Sequence, residues 1–304
     1  MRHESPEDGA GLRRHLRDGG DRPGHRLRFG SGAAGIERLE ASLTGEGFAM
    51  HRHDTYAIGM TLRGVQTFRY RGEPRHCLPG EWHVLHPDEP HDGVAGTDEG
   101  FGYRIIYLDP SLVQEALGGA PLPFVADPVI GRRDADPALA AWLRDIDEPL
   151  DEAGRLTLTL RVVHMLVRHS SARDSSVRDS SVRDSSAGST VRPGVRAPLA
   201  LEALARVRDL IADDPTVRHT LAEFEQLSGL DRWTVARQFR VAFGTSPTRF
   251  RTMRQLDLAR RLLRGGVPLA GAAQLAGFAD QAHMSRMFKR AYGLTPAKWT
   301  AALA

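Results

Sequence analysis

Two sets of residues in this chain have the types and spacing to do chemistry. The first is a group of histidines, His51, His53, His86 and His91, with Tyr56, Arg69 and Trp82 nearby in sequence. His51 and His53 stand at alternate positions, so on a strand both rings leave one face. Imidazoles arranged that way can converge on a single ion or rim a pocket for an anionic or hydroxylated small molecule. The second set is Arg237 and Arg286, which recur at an offset of 49 inside a repeated stretch. A guanidinium fork matches O6 and N7 of guanine, so arginines on a helix face can read duplex DNA.

The repeat explains how those arginines are positioned. Leu227–Pro247 and Leu275–Pro296 align through Gly229 with Gly277, Phe239 with Phe288, Gly244 with Gly293 and Pro247 with Pro296. Each copy reads as a short helix, a glycine turn and a second helix closed by another glycine, which is a helix-turn-helix. The two units span 220–243 and 268–292, and Thr220-Leu-Ala-Glu223 forms a capping box at the first start. Val235, Phe239 and Phe243 form an inward row, matched by Met284, Phe288 and Tyr292. Trp233, Arg237 and Arg240 then face out on the first helix. Ala282, Arg286 and Lys289 do so on the second, flanked by Gln281, His283 and Ser285. Arg232, Arg240, Arg251, Arg254 and Arg290 are expected at phosphates, which set position rather than sequence.

Charge follows the same division. The 105 residues from Ala200 carry 16 Lys+Arg against 9 Asp+Glu, whereas the first 199 residues are net negative. A basic C-terminal part behind an acidic N-terminal part suits a nucleic-acid partner. One cysteine, Cys77, excludes an internal disulfide framework and the usual zinc-finger ligand sets. No apolar run approaches membrane-spanning length and no apolar signal core opens the chain, so no membrane partner and a cytoplasmic location are expected.

The remaining chain reads in blocks. Residues 1–30 are charged and glycine-rich, a disordered tail by composition. From 31 to 168, short β-type runs (Tyr56–Arg63, Val65–Arg71, Trp82–Leu85, Tyr103–Leu108) precede two helical stretches at Asp136–Leu150 and Arg155–Arg168. Their stripes, Leu139/Trp142/Leu143/Ile146 and Leu156/Leu160/Val163/Val167, are narrow and suit pairing with a second copy of the chain. Residues 169–198 repeat R-D-S-S and read as a flexible linker, followed by helices over 199–304 with a long central one at Thr248–Arg264. The fold class is therefore two-domain: an N-terminal β-barrel of jelly-roll type with two following helices, and a C-terminal all-α domain with two helix-turn-helix motifs.

At these motifs the chain resembles the AraC/XylS family of transcription regulators. The resemblance rests on both helix-turn-helix units, on L-D-L-A-R-R-L-L from Leu256, and on G-F-A-D-Q-A-H-M-S-R-M-F-K-R-A-Y-G-L-T-P from Gly277. His51–Gly72 and Leu78–Gly93 resemble the family's cupin-like effector domain. The resemblance implies two recognition helices in successive major grooves and a small-molecule effector in the barrel. The implied partners are double-stranded DNA, an effector, a second copy of the chain and RNA polymerase. One departure is Ala279, where the family commonly has a capping Ser; Asp280 compensates through the helix dipole. His51, His53 and His91 fall where metal-binding cupins place ligands, but Ala57 and Ile58 stand where a catalytic cupin carries a glutamate. The expectation is thus a regulator with no catalytic residue and no cofactor. The alternative is a metal-dependent cupin enzyme with a DNA-binding tail.

Overall fold

The computed structural model describes residues 25–45, 47–170 and 199–303. The expected tail and linker fall almost wholly outside these residues. One part does not: Arg26–Phe29, expected in the tail, form strand β1, whose Leu27 amide donates to the Ala302 carbonyl.

Ten strands follow Arg26 in the described residues: β1, β2 (Ile36–Leu43), β3 (Phe48–His51), β4 (Tyr56–Gly64), β5 (Gln66–Tyr70), β6 (Glu73–Cys77), β7 (Trp82–Leu85), β8 (His91–Ala95), β9 (Phe101–Leu108) and β10 (Val129–Ile130). All named pairs are antiparallel. They form a six-stranded sheet in the order β1-β2-β9-β4-β7-β10 and a four-stranded sheet β3-β8-β5-β6. This is a two-sheeted, jelly-roll-like arrangement.

The six-stranded sheet is covered on both faces. Trp82 and Val84 of β7, Tyr56 and Ile58 of β4, and Ile106 and Leu108 of β9 pack against α1 (Pro110–Ala116), α2 (Pro137–Arg144) and α3 (Glu152–His169). The alternate residues, Leu85, Ala57 and Ile105, belong to a second core. The period of two along a strand sends neighbours to opposite faces.

Helix α2 ends at Arg144, short of the expected Leu150. Pro149 disfavours helix at the preceding residue. The buried Arg38 guanidinium also collects the carbonyls of Trp142, Asp145 and Glu148, which therefore do not serve a helical ladder. Leu139 and Leu143 of α2, and Ile146 just beyond it, are buried within the domain, so that stripe is core and not an association seam. Leu156, Leu160 and Val167 of α3 stay exposed, whereas Val163 is buried.

The C-terminal part is helical: α4 (Leu201–Asp213), α5 (Leu221–Ser228), α6 (Arg232–Phe243), α7 (Pro247–Arg264), α8 (Leu269–Leu275), α9 (Gln281–Tyr292) and α10 (Pro296–Ala301). The Thr220–Glu223 capping box is formed, and Gly229, Gly244 and Gly293 close α5, α6 and α9 in the left-handed conformation. Asp231 and Asp280 are the side-chain N-caps of α6 and α9, so Asp280 replaces the missing serine by direct hydrogen bonding to the His283 amide.

Candidate functional site

A cavity of about 360 Å³ opens between the two sheets and is walled on one side by α7 and α9. That size suits a small organic molecule. Its interior carries Leu39, Leu85 and Ile105 from the six-stranded sheet and Phe48 from the other, with His51, His53, His83, His91, Gln66, Tyr103 and Tyr107 as polar groups.

Three of the expected effector residues meet here. The rings of His51, His53 and His91 converge, with centroids 4.3 Å (His51–His91), 4.8 Å (His53–His91) and 6.2 Å (His51–His53) apart. Burial, with the other histidines adding, holds His51 and His53 well below the usual imidazole range, and burial takes His91 down to about 4. His83 is pushed to about 3 by burial and by His91. Among the described residues no group of three or more His, Cys, Asp or Glu side chains is placed to hold a metal ion.

Tyr56, Trp82, His86 and Arg69 lie elsewhere. The Tyr56 hydroxyl donates to the Pro123 carbonyl, and Trp82 belongs to the helix-covered face. His86 Nε2 accepts from the Val125 amide while its Nδ1 lies 2.6 Å from the Tyr70 hydroxyl. Arg69 is exposed. Strand parity separates them: Trp82 points one way and its neighbour His83 the other. Sequence reasoning missed His83, Gln66, Tyr103 and Tyr107 among the polar groups of the cavity, and for His83 Gly59 was the available signal. The two are cross-strand partners, and a Cβ on Gly59 would lie 2.2 Å from His83 Cε1, so only glycine leaves the ring its place. Cys77 is buried, and burial raises its thiol to about 11, which leaves it no nucleophile at neutral pH.

The neutral histidines make stability depend on pH. Their folded pKa values lie below the ordinary imidazole value of 6.5, so the stability they confer is fully present above 6.5 and is lost as pH falls from there through the folded values. Each contributes up to about 1.4 kcal/mol per pH unit in that window. Asp54, which burial raises to about 6 against the opposing Arg254, acts in the other sense but is one group against four. The melting temperature of the full chain is expected to fall between pH 7 and pH 5. A flat profile over that interval would mean these rings are not held neutral.

On the two helices, the inward rows are as expected. Val235, Phe239, Phe243, Met284 and Phe288 are buried, and Tyr292 is half-buried against the cavity. Trp233 is 74% exposed, an unusual exposure for a large apolar ring. Arg232, Arg237, Arg240, Gln281, Arg286, Lys289 and Arg290 are exposed, and His283 and Ser285 are half-buried on the flank. Two phosphate candidates are otherwise engaged. Arg251 donates to the Thr216 and Val217 carbonyls, and Arg254 turns inward to Asp54 at 2.8 Å, Asp257 at 3.1 Å and Asp109 at 3.8 Å.

Arg254 is one of several contacts that dock the helices on the sheets. Arg260 Nη2 donates to both carboxylate oxygens of Glu37, at 2.6 and 2.8 Å. The Ala49 amide donates to the Gly293 carbonyl and the Arg52 amide to that of Arg290. A Cβ on Gly293 would come within 2.9 Å of His51 Nδ1, and one on Gly244 within 2.6 Å of Pro87. Strand β3 therefore joins the cavity wall to the C-terminal end of α9.

Both halves of this arrangement match family models. Residues 33–167 match the AraC-like ligand binding domain, and residues 226–302 match a helix-turn-helix domain. The chain belongs to the AraC family of transcription regulators. It is 25% identical over 241 residues to the uncharacterised HTH-type transcriptional regulator YbfI of Bacillus subtilis, covering 78% of this chain and 81% of that one. An AraC-like transcription regulator of Streptomyces antibioticus is 32% identical over 104 residues, 34% of either chain, and RipA of Corynebacterium glutamicum is 31% identical over 108 residues, 36% of this chain and 32% of that one. In fold, this AraC-family chain is similar to ToxT from Vibrio cholerae, with a TM-score of 0.60 at 11% identity over 89% of this chain and 99% of that one. A ToxT structure with an unsaturated fatty acid bound gives a TM-score of 0.56 at 12% identity, over 92% and 95% of the two chains. The AraC-family assignment makes this chain a DNA-binding transcription regulator with an N-terminal ligand-binding domain. Among the described residues no helix is long and apolar enough to cross a membrane.

Proposed function

We propose that this AraC-family regulator reads double-stranded DNA with α6 and α9 and takes its effector in the cavity between the sheets. In this reading Arg237 and Arg286 contact bases, with Trp233, Gln281, His283 and Ser285 beside them. Arg232, Arg240, Lys289 and Arg290 bind phosphates. His51, His53 and His91 contact the effector. The protein is a cytoplasmic regulator rather than an enzyme, and it changes transcription by engaging or excluding RNA polymerase.

The observation that carries this reading is the route through β3. His51 lines the cavity, and the same strand is hydrogen-bonded to the last turn of α9, so an occupant that moves His51 acts on a recognition helix. Selecting random duplexes with the full chain should enrich two different half-elements about one helical turn apart, because Trp233 and Ala282 occupy matching positions. Failure to enrich any duplex over competitor in dilute salt would remove the reading. Iron or manganese at one per chain with turnover of a substrate would favour the enzyme instead.

A homodimer is proposed through α3, whose Leu156, Leu160 and Val167 form an exposed apolar row. Leu160→Glu is expected to leave the fold intact and shift the chain to monomer in analytical ultracentrifugation. A sedimentation profile unchanged by that substitution would place any dimer contact elsewhere.

A further inference from the structure

The outer face of the six-stranded sheet changes character along its strands. At one end Ile36, Ile58, Ile106 and Leu108 lie under α1, α2 and α3. Next comes Arg38, sealed beneath the 142–148 segment whose carbonyls it collects. Beyond it the helices end, and two cross-strand rows follow. In the first, Arg28 stands opposite Glu40 and Glu40 opposite Arg104. In the second, Arg26 stands opposite Ser42, Ser42 opposite Gly102, and Gly102 opposite Arg63. Directly opposed residues share a face, so each row lies on the outside of the sheet. A groove of about 420 Å³ covers the second row and the edge of the first.

The two rows differ in charge. Glu40 accepts from Arg28 at 3.2 Å and from Arg104 at 2.7 Å, and Arg28 also pairs with Asp147, so two guanidiniums meet two carboxylates. The second row has no carboxylate. Arg26 and Arg63 are exposed, and among the described residues neither is in an ion pair. Arg63 crosses β9 to donate to the Ser42 hydroxyl oxygen, which leaves the hydroxyl proton free for a further acceptor. Gly102 makes that crossing possible: a Cβ there would come 3.2 Å from Arg63 Cγ and Nε. Its backbone is not left-handed, so what the glycine provides here is room. Two unopposed guanidiniums thus flank one hydroxyl, and all three are donors. A guanidinium fork matches carboxylate and phosphate oxygens alike. A monocarboxylate would offset only one of the two charges, whereas a phosphate monoester carries about −1.5 to −2 at neutral pH and three acceptor oxygens. We propose that the groove over Arg26, Ser42, Gly102 and Arg63 is a second small-molecule site, which takes the phosphate group of a phosphorylated metabolite. Leu62, exposed at the bulge between Thr61 and Arg63, gives the rim an apolar surface for the rest of that molecule. The site is separate from the cavity. Leu27, Leu39 and Tyr103, which line the cavity, leave the opposite face of the same strands.

The test is calorimetry on the full chain at pH 7.5 and constant ionic strength, with glycerol 3-phosphate and inorganic phosphate as probes and lactate and glycerol as comparators. Glycerol 3-phosphate is expected to bind once per chain and at least tenfold more tightly than lactate. Arg26→Gln and Arg63→Gln are each expected to weaken it by about tenfold, the worth of one charge-assisted hydrogen bond. Both side chains are exposed, so these substitutions should leave the fold intact. Arg261→Gln, in the wall of the cavity, is expected to leave the affinity unchanged. Failure of both phosphates to bind in the millimolar range overturns the proposal, as does lactate binding as tightly as glycerol 3-phosphate. If Arg261→Gln weakens the phosphate and the two groove variants do not, the phosphate sits in the cavity and the groove is no site for it. A double groove variant that instead loses affinity for duplex DNA, or changes its sedimentation, would assign the groove to a macromolecule and also overturn the proposal. As an independent readout, the amide resonance of Gly102 is expected to move when glycerol 3-phosphate is added; a signal that stays in place at saturation puts the ligand elsewhere.

Discussion

Replacing Arg237 and Arg286 together with alanine is expected to weaken specific DNA binding by about 2–6 kcal/mol, from roughly 30-fold to more than ten-thousandfold. Each bidentate arginine–guanine contact is worth about 1–3 kcal/mol, and contacts on separate helices add when they share no partner. Both side chains are exposed, and among the described residues neither is held in an ion pair, so the substitutions should leave thermal stability nearly unchanged. The two single variants should differ in which half-element loses its base preference. Arg240→Ala and Lys289→Ala should instead weaken all sequences alike and lower the salt dependence by about one ion each. Fluorescence anisotropy on the selected duplex at several salt concentrations separates these outcomes. A double variant within twofold of the parent would mean that neither arginine faces the bases.

Those helices were legible in the sequence because their determinants are local. Helical spacing of Val235, Phe239 and Phe243, a glycine at each end and a capping box at Thr220 all fall within a few residues of what they control. The cavity was legible only in part. His51, His53 and His91 could be grouped by strand alternation, but nothing local says that His83 and not Trp82 faces the cavity. Both faces of the six-stranded sheet are buried, so β7 has no solvent-exposed side to reveal its orientation. The stripe on α2 misled for a related reason. A narrow apolar row suits a domain core or a second copy equally, and only the position of the sheet decides. The docking of the helices on the sheets could not be read at all, since Arg254 and Asp54 are 200 positions apart.

That pair supports the second large effect. Arg254→Met is expected to destabilise the docked arrangement by about 3–5 kcal/mol at pH 7, because it strands a carboxylate that is 4% exposed. Burial already raises Asp54 to about 6 against the pull of Arg254, with Asp257 and Asp109 adding to the rise. Without the guanidinium, Asp54 must take up a proton at pH 7, above its ordinary value of 3.8. A folded pKa raised above the unfolded one gives stability that is lost as pH rises through the folded value. The variant therefore gains about 1.4 kcal/mol on going from pH 7 to pH 6, where the parent, only about half protonated at the end of that interval, gains little. Below pH 6 both change alike, and the gap stays constant. Adding Asp54→Asn should recover much of the loss, since removing both partners leaves no buried charge unpaired. The same variant should release β3 from α9. Hydrogen exchange at the Ala49 and Arg52 amides, which donate to Gly293 and Arg290, is expected to accelerate along with the loss of stability. If Arg254→Met lost less than 1 kcal/mol and left those amides protected, the ion pair would be incidental, and the hold on the recognition helix would lie in the apolar contacts around Phe48.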